Sequence, residues 1–155
     1  MKPYQATASA LIEAPAERVY NVLADYRNGH PRILPRPYFI SQEVEQGGFG
    51  AGTIINFKMR VLGQTQVFRA AISEPEPGRV LVETDLNGSV VTTFVVSPAD
   101  GGERSEVRIT TEGKTVRQGL LGSLERSMTE TYLKRIYKKE LRLLETVARG
   151  SEPIR

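Results

Sequence analysis

The chain predicts an α+β fold in which a curved, seven-stranded antiparallel sheet is followed by one long helix enclosing a cavity. Three observations predict it. From Gln118 to Arg149, Leu121, Leu124, Met128, Tyr132, Ile136 or Tyr137, Leu141, Leu144 and Ala148 recur at steps of three to five. That is the stripe one helical face presents to a core. Six strand-like runs precede this helix, separated by turns rich in glycine, proline and asparagine. None of those turns has the dozen or so residues a parallel crossover requires, so the runs form an antiparallel meander.

The elements follow in order. Tyr4 to Glu13 alternates as a strand, with small alanines on one side, and Ala14-Pro15 ends it. Proline is well tolerated at a first helical position, and Glu17 then favours the positive end of the helix dipole. Val19, Tyr20, Val22 and Leu23 continue at helical spacing, which makes Pro15 to Asp25 a short helix stopped at Asn28-Gly29. Pro31, Pro35 and Pro37 confine residues 30–37 to one helical turn and an extended link. The strands are then Phe39–Gln46, Thr53–Val61, Thr65–Ser73, Arg79–Leu86, Ser89–Val96 and Glu103–Lys114. Gly47-Gly48, Leu62-Gly63, Pro75-Glu76-Pro77-Gly78, Asn87-Gly88 and the Pro98–Gly102 segment close them, and Asn-Gly favours a two-residue type I′ turn.

Alternation assigns the inner face. Ile55, Phe57, Met59 and Val61 oppose Asn56, Lys58 and Arg60, while Val107 and Ile109 oppose Glu106 and Arg108. The same period places Phe68, Ala70 and Ile72 inside, together with Val80, Val82, Thr84 and Phe94. Met128 and Tyr132 sit mid-stripe on the long helix, facing the sheet, so Met128→Arg is expected to place an unpaired charge in the interior. A buried Tyr132 needs a hydrogen-bond partner, for which Thr84 and Thr92 are candidates.

With 155 residues, residues 1–150 are expected to form one domain followed by a short 151–155 tail. No stretch approaches the roughly 20 apolar residues of a membrane span. The first residues lack the apolar core of a signal peptide, so a cytoplasmic protein is expected. The absence of cysteine removes disulfides, thiolate metal sites and cysteine nucleophiles together. Lys114 to Arg149 holds nine basic and four acidic residues, against twelve and fourteen elsewhere. The terminal helix therefore carries the whole basic surplus, with Lys134, Arg135, Lys138, Lys139, Arg142 and Arg149 near its negative dipole end. No aromatic residues interleave with these cations, so no nucleic-acid partner is expected.

Neighbouring strands lie about 4.8 Å apart, so seven span roughly 30 Å. A helix is only about 10–12 Å across and cannot fill the concave side of such a sheet. The remaining volume must hold large side chains or stay open as a pocket. The opening Leu11-Ile12-Glu13-Ala14-Pro15-Ala16-Glu17-Arg18-Val19-Tyr20, with Leu23-Ala24-Asp25-Tyr26, resembles the start of the SRPBCC superfamily. That group includes START lipid-transfer domains, pathogenesis-related plant proteins, polyketide cyclase/dehydrase-like proteins and coenzyme-Q-binding proteins. The resemblance covers the whole chain in element order. It implies a helix-grip fold with a deep cavity for an apolar or amphipathic small molecule such as a lipid, polyketide or quinone, and it supplies no universal catalytic residue.

The residues expected to line that cavity are Phe57, Met59, Phe68, Val82, Phe94, Ile109, Leu124, Met128 and Tyr132. No catalytic residue is assigned. His30, the single histidine, is expected as a polar turn residue or helix-end partner whose replacement by alanine leaves stability and binding nearly unchanged. Arg69 and Glu83 are expected in surface cross-strand pairs. One histidine and no cysteine argue against a metal site, and no cofactor is expected. No Gly-x-Ser-x-Gly elbow exists. The glycine-rich segment Gly47–Gly52 joins two strands rather than opening a helix, so it is no phosphate cradle. Because titratable residues are sparse on the expected inner face, binding or transport of an apolar molecule leads. A cyclase/dehydratase-type enzyme and a module docking through the basic helix are the rivals. The protein is expected as a monomer or weak homodimer, without stable membrane insertion.

Overall fold

A computed structural model describes residues 3–61, 63–114 and 119–150. Gln118, Leu62 and the 151–155 tail lie outside the described residues. The strands are β1 (Pro3–Ile12), β2 (Phe39–Gln46), β3 (Ile54–Val61), β4 (Gln64–Glu76), β5 (Val80–Asp85), β6 (Val91–Ala99) and β7 (Arg104–Lys114). The helices are α1 (Ala16–Ala24) and α2 (Gly119–Ala148), with a 3₁₀ turn over His30–Ile33. All seven strands form one antiparallel sheet in the order β1-β7-β6-β5-β4-β3-β2. This is the helix-grip arrangement, an α+β fold.

Two of the prolines expected to close strands, Pro75 and Pro98, lie inside them. β4 runs through Pro75, where its register with β5 shifts between Ser73 and Glu76. β6 runs through Pro98, which pairs only with Ser105 on β7 because β5 has already begun at Val80, opposite Val95. Proline is tolerated at both places because one side of the strand needs no ladder donor. The Asn87-Gly88 turn is also wider than a type I′ hairpin. Asp85 N–H donates to the Val90 carbonyl at 2.9 Å, and neither Asn87 nor Gly88 adopts positive φ. Asp85 instead holds the loop through its side chain, accepting from Asn87 N–H at 3.1 Å.

The inner face of the sheet forms rows across the strands, because residues paired in an antiparallel ladder share a face. Ala8, Ile109, Phe94 and Leu81 make one row, all buried. Ala6, Thr111, Thr92, Glu83 and Ile72 make the next. On β5, then, Leu81 and Glu83 point inward, and Val80, Val82 and Thr84 do not. The expected face was reversed because β5 begins with three consecutive apolar residues, which leave its period undefined, and its two acids suggested an outer face.

α2 lies over the concave side and secures both flanks. At the β1 edge its carboxylates take up backbone donors that the sheet leaves unpaired: Gln5 N–H donates to Glu130 at 2.9 Å and Glu13 N–H to Glu145 at 3.0 Å. Towards the other edge, Tyr132 Oη donates to the Arg60 carbonyl at 3.0 Å and Lys139 Nζ to Tyr38 Oη at 3.1 Å. The buried stripe comprises Gly122, Leu133, Ile136, Tyr137, Glu140, Leu141, Leu144, Val147 and Ala148. Its second half agrees with the sequence pattern. The first half is rotated by one residue: Leu121, Leu124 and Met128 are 60%, 56% and 47% exposed.

This rotation reverses the expectation for Met128→Arg, which should change stability by less than about 1 kcal/mol in urea denaturation. Ile136→Arg, which buries an unpaired cation at a fully enclosed position, should destabilise by about 4 kcal/mol or prevent folding. Equal effects of the two would refute the observed helix face.

Candidate functional site

Between α2 and the sheet lies a cavity of about 260 Å³. Its walls differ in chemistry. On one side, Phe57 and Phe68 are cross-strand partners, with parallel rings 5.1 Å apart, and Phe39 tilts against Phe57 at 6.2 Å. Met59, Ile55 and Leu34 continue this apolar wall, and Phe94, edge-on to His30 at 5.6 Å, stands where it meets the polar side. On the other side stand Glu83, Thr92, Thr111, Tyr137, Glu140 and His30.

The polar side is built by three elements. The Asp25-Tyr26 pair ends α1: Asp25 accepts from Arg27 and Asn28 N–H at 3.2 and 3.0 Å, and its carbonyl accepts from His30 N–H at 2.7 Å. That tight turn sends Tyr26 and His30 inward as a stacked pair, centroids 4.5 Å apart. Tyr26 Oη donates to Glu83 Oε2 at 2.7 Å. His30 Nδ1 lies 2.8 Å from the Leu23 carbonyl, which can only accept, so Nδ1 carries a proton. Nε2 is left facing the same Glu83 oxygen at 3.6 Å. On the sheet, Thr92 and Thr111 share a hydrogen bond at 2.8 Å, and Thr111 continues it to Tyr137 Oη.

The glycine-rich β2–β3 connection is docked rather than free. Gly50 N–H donates to the Ala24 carbonyl at the end of α1, and Tyr26 N–H to the Gly48 carbonyl, both at 2.9 Å. Gly50 has φ +61°, a conformation L side chains rarely adopt, so the backbone there demands glycine. The loop therefore holds Tyr26 in place.

Glu140 is the least expected member. It is 2% exposed, lines the cavity, and its Oε2 has no hydrogen-bond partner. Burial first, then the neighbouring charge of Glu83, pushes its carboxyl well above the ordinary range. Burial and Glu83 likewise keep the Tyr26 phenol protonated, and burial is the largest influence raising Tyr137.

Of the residues expected at the cavity, Phe57, Met59, Phe68 and Phe94 stand on its wall. Ile109 is fully buried beside Phe94 in the same row and lies beneath the wall rather than on it. Val82 is on the opposite face of the sheet, for the reason given for β5. Leu124 and Met128 border a shallow cleft with Val61 and Gln66 outside the mouth. Tyr132 packs edge-on against Tyr38, 5.7 Å away, and the tyrosine of α2 that lines the cavity is Tyr137. Thr92 binds Thr111 rather than Tyr132. Arg69 does form a surface cross-strand pair, but with Glu45 at 2.8 Å, whereas Glu83 faces inward. His30 is a helix-end partner, and it is also 2% exposed and turned into the cavity.

One signal for Glu140 was available. It follows Ile136 by four residues and precedes Leu144 by four, a lone charge inside an apolar helical stripe. Glu83 carried no comparable mark. Among the described residues, no group of three His, Asp or Glu could hold a metal ion.

Two tests follow from this geometry. Because the folded-state pKa of Glu140 is raised, the stability it permits is complete below the unfolded carboxyl value of about 4.3 and is lost as pH climbs through the folded value. Urea denaturation at a series of pH values should show a flatter decline above that point for Glu140→Gln than for wild type. His30→Ala removes a buried ring stacked on Tyr26 and a hydrogen bond, and should destabilise by about 2–4 kcal/mol in the same assay. That outcome would replace the expectation that His30 is dispensable to stability.

Residues 4–149 match the family model described as polyketide cyclase/dehydrase and lipid transport. No curated protein matches the sequence. Among solved structures, the chain is similar to the KanY protein, with 27% identity, a TM-score of 0.82, and 97% of this chain and 100% of that one covered. It is similar to the Zhui aromatase/cyclase of a Streptomyces species, with 21% identity, a TM-score of 0.77, and coverage of 96% and 94%. A START superfamily protein from Mycobacterium smegmatis aligns at 12% identity, with a TM-score of 0.71 and coverage of 95% and 98%. The last two likenesses concern the fold. The helix-grip sheet, the cavity under α2 and a family match over nearly the whole chain agree: this protein belongs to the polyketide cyclase/dehydrase and lipid transport family.

Proposed function

We propose that the cavity binds an amphipathic small molecule, with Phe57, Met59, Phe68 and Phe94 against its apolar body and the Glu83–Glu140 side against its polar group. The observation that carries this reading is the division of one cavity into an aromatic wall and a polar wall. Stacked Phe57 and Phe68 offer a flat surface suited to an aromatic or conjugated body, as in a lipid-like, polyketide-like or quinone-like molecule. The family to which the chain belongs supports the class of ligand.

A second reading is acid–base catalysis of cyclisation or dehydration in the same cavity. The specific observation in its favour is the Tyr26–Glu83–His30 cluster. Glu83 is an acceptor oriented by one donor, and His30 is fixed in ring orientation by the Leu23 carbonyl, the kind of preorganisation proton transfer needs. The sparse titratable groups that favoured simple binding in the sequence are therefore not sparse in the fold.

Nile red, a neutral apolar dye, should brighten on addition to the purified protein. Phe57→Asp should weaken its uptake by about tenfold or more, and Val82→Asp on the opposite face should not. Native mass spectrometry of freshly purified protein should show co-purifying small-molecule mass. No dye uptake together with an empty native spectrum would overturn the reading. Turnover lost in Glu83→Gln with dye uptake intact would favour catalysis over transport.

A further inference from the structure

The cavity under α2 is small for the ligands proposed for it. Small-molecule sites commonly enclose roughly 300–1,000 Å³. This one encloses about 260 Å³. Benzene fills a cavity of about 150 Å³, so there is room here for a ring and a few further carbons. A longer molecule seated against Phe57 and Phe68 must project through the mouth.

At the mouth the projecting part meets a second space. A cleft of about 310 Å³ runs between Leu121, Leu124 and Met128 on α2 and Val61, Gln64 and Gln66 at the β3–β4 hairpin. Val61, Gln66, Glu125 and Thr129 line both spaces, so the cleft adjoins the cavity directly. Its helix side is apolar, where the exposed surface of an amphipathic helix is ordinarily polar. Leu120, Leu121, Leu124 and Met128, all exposed, fall within the first ten residues of α2. Single exposed leucines are ordinary, whereas a contiguous set marks a contact surface. Leu121, Leu124 and Met128 follow at steps of three and four and form one strip about 10 Å long. Further along, the exposed side of α2 turns to Lys134, Arg135, Lys138 and Arg142. The apolar strip is thus confined to the stretch beside the mouth. Continuity with the cavity and confinement to its mouth favour the ligand's own tail over a separate macromolecule.

We infer that the cleft is a second subsite of the same ligand site, holding a flexible hydrocarbon tail that leaves the cavity across Leu121, Leu124 and Met128. This rests on the cavity reading above and narrows it to molecules with a ring-sized polar head and an alkyl or acyl tail. The head enters first, because His30, Tyr137 and Glu140 are buried while the strip beside the mouth is apolar. Leu124 and Met128 therefore govern selection by tail length, and the inner rows of the sheet govern selection of the head.

The test is displacement of Nile red by para-ethylphenol, para-butylphenol and para-octylphenol. Extending the tail from butyl to octyl should tighten displacement by about tenfold or more, since a fully buried methylene contributes about fourfold and an open cleft covers its occupant only in part. In the double variant Leu124→Gln with Met128→Gln, the gain from butyl to octyl should fall to within about threefold. Glutamine keeps a helix propensity close to that of leucine and methionine, so α2 is preserved. Val67→Gln, an exposed position on the other face of the sheet, should keep the full gain. The protein has no tryptophan, so Leu121→Trp supplies the sole indole emitter. Bromine at the end of the octyl tail should quench that emission, and bromine at the end of the ethyl tail should not. Phenols that displace the dye with no gain from butyl to octyl would overturn the inference and leave the cavity reading standing. A full gain in the double variant, or no quenching by the brominated octyl tail, would overturn the cleft as the place of the tail. Binding to phosphatidylcholine vesicles that the double variant loses, with the gain from butyl to octyl intact, would assign the strip to a membrane surface instead. Absence of Nile red uptake would overturn both readings.

Discussion

A mismatch of widths governs this molecule. Seven strands make a concave surface roughly 30 Å across, while a single helix with its side chains covers about 10–12 Å. α2 can therefore hold the two flanks of the sheet or fill its hollow, but not both. It holds the flanks, through Glu130 and Glu145 at the β1 edge and through Tyr132 and Lys139 towards β2. The hollow is what remains, and every later feature of the site depends on what the inner rows place around it.

Those rows divide two tasks. Ala8, Ile109, Phe94 and Leu81 bury apolar area and keep sheet and helix together, which is the ordinary source of folding free energy. The adjoining row of Thr111, Thr92 and Glu83 adds little of that kind. It faces Tyr137 and Glu140 from the helix and Tyr26 and His30 from the turn after α1. Buried polar groups gathered from three separate elements are expensive unless their partners are fixed. The docked glycine loop and the Asp25 turn supply that fixation.

The sequence made the architecture plain because hairpin turns and strand alternation are local signals. Strands β2, β3 and β7, the short helix α1 and the second half of α2 all follow from residue spacing alone. The polar wall was legible only in fragments, and for one physical reason. Period-based reading assumes that apolar residues face in and charged residues face out. At β5 that rule turned Val82 inward and Glu83 outward, and at the start of α2 it chose Leu124 and Met128 over Glu125 and Thr129. Both errors occur where the interior is chemically polar. Phe57, Met59, Phe68 and Phe94 stand on the cavity wall because there the interior obeys the rule. Local consistency fails where the interior turns polar.

The row structure also bears on how such a protein can change over generations. Glu83, Thr92 and Thr111 are consecutive neighbours across three strands, and each alternates along its own strand with residues that face away from the cavity. A substitution in this row alters the chemistry of the hollow while the aliphatic row beside it continues to drive folding. The character of the hollow and foldability are thus written in separate lines of the same sheet. A lineage can rewrite the first without first having to stabilise the second.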